Sequence, residues 1–145
     1  MKLLEVENLV TELGEGGNWL RAVDNISLTV EAGQTYCLVG ESGSGKSVTA
    51  LSIMGLLPHG HYRHPDGHIR LTDPQGQLPE IALLNADDET LRSVRGSRIA
   101  MIFQEPMTSL NPVQTIGEQL EEVLLIHRPE LDEEARKQKI LAALA

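Results

Sequence analysis

Short apolar stretches separated by polar and glycine-rich segments make up the first part of the chain. Residues 2–13 and 22–30 alternate between apolar and polar side chains, which predicts half-exposed β-strands. The segment 14–18 between them consists mainly of Gly, Glu and Asn, and predicts a turn. We therefore expect the chain to open with antiparallel β structure.

The pattern then changes to continuous apolar runs. Residues 35–39 and 98–103 are short and apolar, which is typical of strands buried on both faces. Residues 48–57 form a longer apolar run that Pro58 interrupts, so this run predicts a helix. A strand, a short connection and a helix in this order predict a β-loop-α unit of an α/β fold.

Loops and short elements are predicted for most of the middle of the chain. Segment 58–79 is rich in Gly, Pro, His and Asp and is expected to be a loop that holds a short strand at 68–71. Residues 80–84 are predicted to be the partner of that strand, and Asp87 has the position of a helix N-cap. Residues 115–127 and 132–145 predict two further helices, which Pro129 separates.

The connection between the apolar strand and the helix fits the phosphate-binding pattern G-x-x-x-x-G-K-[S/T] at every fixed position. Glycines allow backbone N–H groups to point at a phosphate, and the helix N-terminus adds partial positive charge. The Lys46 amine can reach the β- and γ-phosphates, and the Ser47 hydroxyl can bind Mg²⁺. The predicted nucleotide-binding residues are Gly40, Glu41, Ser42, Gly43, Ser44, Gly45, Lys46, Ser47 and Val48.

Composition narrows the class of partner. The 145 residues carry 21 acidic and 12 basic side chains, a formal charge of −9, which argues against nucleic acid as a main partner. Cys37 is the only cysteine and is predicted to be a buried small hydrophobe in a reducing cytoplasm. No apolar run approaches the roughly 20 residues that span a bilayer, so any membrane crossing is expected to come from another subunit.

Two polar clusters invite a catalytic or metal-binding interpretation. The four histidines of segment 59–68 match no zinc spacing and favour an exposed polar loop. The acids 87–89 follow an apolar run, but Asn85 and Ala86 intervene, and acids also favour a helix start. Gln104 ends the second apolar strand, where its carboxamide could bind Mg²⁺ or position water near the γ-phosphate.

Two phrases of the sequence resemble the ATP-binding cassette (ABC) transporter ATPases. They are Val-Gly-Glu-Ser-Gly-Ser-Gly-Lys-Ser at 39–47 and Ile-Ala-Met-Ile-Phe-Gln-Glu-Pro-Met-Thr-Ser-Leu-Asn-Pro at 99–112. The similarity is strongest to the oligopeptide, dipeptide and nickel uptake branch, and within it to peptide importers whose ATPase carries two fused cassettes. It covers nearly the whole chain.

The resemblance implies an α/β P-loop NTPase fold with an antiparallel β subdomain. It places this subdomain at 1–34 and 60–86, the nucleotide-binding core at 35–58 and 98–104, and the start of a helical subdomain at 105–145. In such ATPases the Leu-Ser-Gly-Gly signature, the acidic strand and the switch histidine come later than residue 145. The chain is therefore expected to be the N-terminal part of a cassette, truncated within the helical subdomain, without a catalytic residue of its own and inactive alone.

The resemblance also assigns roles and partners. It implies ATP and Mg²⁺ as cofactors, with Ser47 and Gln104 near the metal and Trp19 as the residue that stacks on adenine. Implied partners are transmembrane permease subunits, a second cassette bound head-to-tail and, indirectly, a solute-binding protein. The implied location is the cytoplasmic face of the cell membrane, as a peripheral subunit of a peptide-type importer. A nucleotide- or partner-binding module without catalysis is the alternative, and another P-loop class, such as a small-molecule kinase or GTPase, is a third.

Overall fold

The computed structural model of the protein describes residues 1–103 and 110–145, which belong to two compact units, Met1–Ile99 and Ala100–Ala145. The first unit contains a four-stranded sheet of order β2-β1-β3-β4. Every neighbouring pair of strands is antiparallel. The strands are β1 (Lys2–Glu15), β2 (Asn18–Glu31), β3 (Tyr62–Leu71) and β4 (Ile81–Ala82).

The β1–β2 hairpin follows from the alternating pattern and from its turn. Gly16 and Gly17 have φ angles of 60° and 92°, the left-handed conformation that a tight two-residue hairpin turn requires. Next to the turn, Gly14 lies opposite Trp19, and Leu13 lies opposite Leu20. Because side chains alternate along a strand, these two successive pairs point to opposite faces of the hairpin.

Two helices and one short turn complete the first unit. They are α1 (Lys46–Met54), a 3-10 turn (Leu83–Asn85) and α2 (Asp88–Val94). The predicted N-cap is confirmed, because the Asp87 carboxylate accepts a hydrogen bond from the Thr90 N–H at 2.8 Å. The core is aliphatic, and eight of its buried residues form one cluster. They are Val6, Leu9, Val23, Ile69, Leu71, Leu83, Leu91 and Val94.

The second unit contains α3 (Ile116–His127) and α4 (Glu133–Leu144), close to the predicted ranges. Thr115 and Glu118 form a reciprocal capping box at the start of α3. Asp132 caps α4, where its carboxylate accepts a hydrogen bond from the Ala135 N–H. The Arg136 side chain of α4 reaches Glu121 of α3 at 3.2 Å.

Two predicted strands are not formed in the described part of the chain. Residues 35–39 lie outside every strand, and of 98–103 only Ile99 makes an isolated bridge, to Arg95. A strand exists through hydrogen bonds to a neighbour, and no described segment pairs with 35–39. Cys37, in the first of these segments, is accordingly exposed, so the prediction that it is buried is wrong.

Other boundaries differ from the sequence prediction as well. The expected loop at 58–79 contains the ten-residue strand β3, because most of its residues pair with β1. Helix α1 begins at Lys46 and ends at Met54, because its C-cap Gly55, with a φ of 61°, closes the helix before Pro58 is reached. The partner strand expected at 80–84 is reduced to Ile81–Ala82.

Candidate functional site

The phosphate loop (residues 40–47) curves into the first turn of α1. Gly43 and Gly45 have φ angles of 81° and 87°, and Gly45 is the N-cap of the helix. A Cβ atom at Gly45 would lie 2.3 Å from the Ala22 carbonyl oxygen of β2, so the loop packs against the sheet at a point that admits only glycine. This contact fixes where the N-terminus of α1 stands relative to the hairpin.

Lys46 folds back over the loop that precedes it. Its Nζ donates hydrogen bonds to the carbonyl oxygens of Gly40 at 2.8 Å and Glu41 at 2.6 Å, and lies 3.2 Å from the Ser44 hydroxyl oxygen. The amine is thus held at the mouth of the loop rather than extended into solvent. A polyphosphate would meet this positive charge together with the N–H groups of the first turn of α1, which no side chain caps.

Two cavities adjoin the phosphate loop. The first, of about 520 Å³, has the loop and the start of α1 on one side and the tip of the β1–β2 hairpin on the other. Its lining residues are Leu13, Leu20, Arg21, Ala22, Gly43, Ser44, Gly45, Lys46, Ser47 and Val48. The second, of about 350 Å³, lies between β2 and the segment around Val39 and Gly40. Either volume falls within the range of small-molecule sites.

Trp19, the residue implied to stack on adenine, has other neighbours. The Arg63 guanidinium lies 4.7 Å from the centre of its ring, a cation–π contact. The Glu12 carboxylate, which is almost fully buried, forms salt bridges with the guanidinium groups of Arg63 at 2.7 Å and Arg21 at 3.5 Å. The structure does not bring Trp19 to the 520 Å³ cavity; it brings Leu20 there instead.

A buried polar network behind the site was not predicted from the sequence. The Thr11 hydroxyl of β1 lies 3.0 Å from the Ser52 hydroxyl of α1 and 3.1 Å from Nδ1 of His64 on β3. Burial lowers the pKa of His64, and a hydrogen bond with the Val10 backbone opposes this in part. The available signal was that Thr11 and Ser52 are polar residues at positions where the apolar pattern points inward.

The remaining predicted residues are only partly placed. Ser47 is exposed at the start of α1, whereas Gln104 lies outside the described residues. Among the residues that the structure describes, no group of three or more His, Cys, Asp or Glu side chains could hold a metal ion. Within the same residues, no helix has both the length and the apolar character needed to cross a bilayer.

The chain is similar to known transport proteins. It is 52% identical over 134 residues to an uncharacterised ABC transporter ATP-binding protein, YejF, of Escherichia coli; the match covers 92% of this chain and 24% of YejF. It is 45% identical over 138 residues to the oligopeptide transport ATP-binding protein AppD of Bacillus subtilis, covering 95% of this chain and 40% of AppD. The chain thus spans between a quarter and two-fifths of the length of these two relatives.

Its fold matches that of a solved ATP-binding cassette. The dimeric cassette MJ0796 in a post-hydrolysis state, bound to ADP and Pi, superposes with a TM-score of 0.76 at 24% identity; the match covers 98% of this chain and 56% of that one. This agreement confirms the predicted α/β P-loop fold. A family profile described as ABC transporter matches residues 23–145. The chain belongs to the ABC transporter family of ATP-binding proteins.

Proposed function

We propose that this chain is the nucleotide-binding part of an ABC importer ATPase for peptides or similar small solutes. The observation that carries the proposal is the position of Lys46, held by three oxygens of the phosphate loop at the uncapped N-terminus of α1. Family membership and the peptide-transport name of AppD support the same assignment. The backbone of the loop is restricted to a few conformations, and in these conformations its N–H groups can point at a phosphate.

Each part of the site would have a separate task in binding Mg·ATP. The Lys46 amine would exchange its carbonyl partners for phosphate oxygens, and backbone N–H groups of the loop would donate to the remaining oxygens. The Ser47 hydroxyl is exposed at the loop's end and would bind Mg²⁺, which supplies charge neutralisation when present. Gln104 remains a second proposed Mg²⁺ contact on sequence grounds alone.

The proposed partners follow from the family and its relatives. Permease subunits would span the membrane. A second cassette would bind head-to-tail, and the dimeric structure of the MJ0796 cassette supports pairing of two cassettes. The chain would then be peripheral, at the cytoplasmic face, and a solute-binding protein would act through the permease. In that arrangement the partners would respond to the state of the nucleotide bound at Lys46 and Gln104.

The test is calorimetric titration of Mg·ATP into the chain and into Lys46→Ala. We expect Lys46→Ala to lower affinity at least about tenfold, since a charge-assisted hydrogen bond contributes roughly 1.5–3 kcal/mol. Lys139→Ala removes an equal charge from α4 and serves as the control, which should bind like the wild type. Ser47→Ala should weaken binding with Mg²⁺ present but not in EDTA.

Undiminished affinity in Lys46→Ala would show that the nucleotide does not use the phosphate loop. An equal loss in Lys139→Ala would show that net charge, rather than the position of Lys46, governs binding.

A further inference from the structure

We propose that Arg95 is a positioning residue for the phosphate loop, although it lies at the opposite end of α1. Its guanidinium ties the C-terminal end of α1 to segment 95–99, and so holds the N-terminal end in the direction that a phosphate requires. Helix α1 has nine residues, so its two ends are about 14 Å apart. The inference rests on the proposed nucleotide binding and adds to it a residue that lines neither cavity.

The last carbonyl groups of α1 need partners from outside the helix, because no further turn follows to supply N–H groups. The Arg95 Nε donates a hydrogen bond to the Met54 carbonyl oxygen at 2.8 Å, and its Nη2 donates to the Gly55 carbonyl oxygen. One planar guanidinium therefore binds the last residue of the helix and its C-cap together, a geometry that the single amine of a lysine cannot reproduce. Its positive charge also lies at the negative end of the helix dipole.

Arg95 is itself held in place by the backbone around it. As the C-cap of α2, its N–H donates to the Leu91 carbonyl oxygen at 3.0 Å, and its backbone bridges to Ile99. The Gly96 N–H donates to the Ile99 carbonyl oxygen at 2.9 Å and closes the turn. The guanidinium thus connects α1 to a turn whose own backbone is hydrogen-bonded.

The end of α1 is also packed closely against α2. A Cβ atom at Gly55 would lie 2.9 Å from Cδ1 of Leu91 and 3.0 Å from Nη2 of Arg95. At other points α1 is fixed against the sheet, by the packing of Gly45 on β2 and by the Ser52 hydroxyl, which lies 3.0 Å from a hydroxyl of β1. Arg95 adds a point of attachment outside the sheet, and we expect the alignment of the phosphate loop to depend on it.

The first experiment separates affinity from stability. Mg·ATP and inorganic tripolyphosphate with Mg²⁺ are titrated into the wild type, Arg95→Met, Arg95→Lys and Arg92→Met, at a temperature at which circular dichroism shows each to be folded. Arg95→Met should weaken both ligands about three- to tenfold, within the range for residues that act on a site without touching the ligand. Arg95→Lys keeps the charge and one point of attachment and should lose about twofold. Arg92→Met removes an exposed charge from the last turn of α2 and is the control, which should bind like the wild type.

Hydrogen exchange provides a readout that a merely structural role would not change. Since Arg95 joins the phosphate loop to segment 95–99 through α1, bound Mg·ATP should slow exchange of the Gly96 and Ile99 N–H groups. In Arg95→Met the same two amides should exchange equally fast with and without Mg·ATP. Gln104→Ala should retain the effect, because the connection runs through α1.

Unchanged affinities in folded Arg95→Met would overturn the inference and leave Arg95 with a role in stability alone. If Arg95→Met does not fold, wild-type affinity in Arg95→Lys would overturn it. An equal loss in Arg92→Met would assign the effect to net charge, and loss of the exchange effect in Gln104→Ala would assign it to Gln104. Failure of the proposed function would look different, because Lys46→Ala would then bind both ligands as the wild type does.

Discussion

At the scale of single residues, Gly45 is the point where the phosphate loop touches the sheet. Its φ of 87° is unfavourable for a residue with a side chain, and an added Cβ would meet the Ala22 carbonyl oxygen at 2.3 Å. We expect Gly45→Ala to lower the free energy of unfolding by more than the roughly 1–2 kcal/mol that a left-handed conformation costs on its own. It should also weaken Mg·ATP binding, because the loop must move away from β2. Urea unfolding and calorimetry measure the two effects.

Gly43→Ala is the matched control for that prediction. Gly43 has a similar φ of 81°, but no atom lies within 4 Å of an added Cβ. This variant should therefore show the conformational cost without the collision, and its stability should lie between those of Gly45→Ala and the wild type. Equal stability of the two variants would mean that contact with Ala22 does not position the loop.

At the scale of elements, the buried network of Thr11, Ser52 and His64 joins β1 and β3 to α1. Because burial lowers the pKa of His64, the unfolded chain binds a proton more readily than the folded one. Neutral His64 therefore contributes its full stabilisation of the fold at pH values above the ordinary histidine pKa of about 6.5. This contribution falls as the pH drops below that value. We expect the wild type to lose thermal stability between about pH 7.5 and 5.5.

His64→Gln should lose less stability over the same pH range, because glutamine can accept the Thr11 hydrogen bond but does not titrate. His68→Gln, on the same strand with an exposed side chain, is the control and should follow the wild type. Thermal unfolding at the two pH values measures the difference. Identical pH dependence in wild type and His64→Gln would show that another group dominates this range.

At the scale of the whole molecule, the described residues that line the proposed nucleotide site include few groups that could promote hydrolysis. Asp24 is the only carboxylate that lines the two cavities in the described part of the chain, and it is paired with Arg21 at 3.0 Å. Phosphoryl transfer needs neutralised charge and a positioned water. We therefore expect this chain alone to release phosphate from saturating Mg·ATP at a rate well below ~1 s⁻¹, the lower end of typical kcat values.

Steady turnover above that rate, abolished by Lys46→Ala, would identify a carboxylate that the cavities do not reveal. Turnover that Lys46→Ala leaves unchanged would point to a contaminating ATPase, and Lys46→Ala is therefore the control for purity.

The sequence predicted the features that neighbouring residues encode. Local patterns were enough for the hairpin with its turn within 14–18, for the cap at Asp87 and for a glycine-containing loop that leads into α1. Local patterns were not enough for 35–39, because an apolar run becomes a strand only when a distant segment pairs with it. Nor do local patterns decide which face of the hairpin Trp19 or Leu20 occupies, because the register of strand pairing assigns that face.

No described segment pairs with residues 35–39, which has a consequence for the behaviour of the protein in solution. It carries no charge and no proline, and Tyr36, Leu38 and Val39 are 49%, 43% and 85% exposed. Uncharged runs rich in β-branched and aromatic residues with free backbone groups are templates for pairing between molecules. At high concentration the chain is expected to self-associate into cross-β aggregates through this segment, even though its charge of −9 favours solubility. A chaperone that binds short extended apolar peptides would recognise the same five residues.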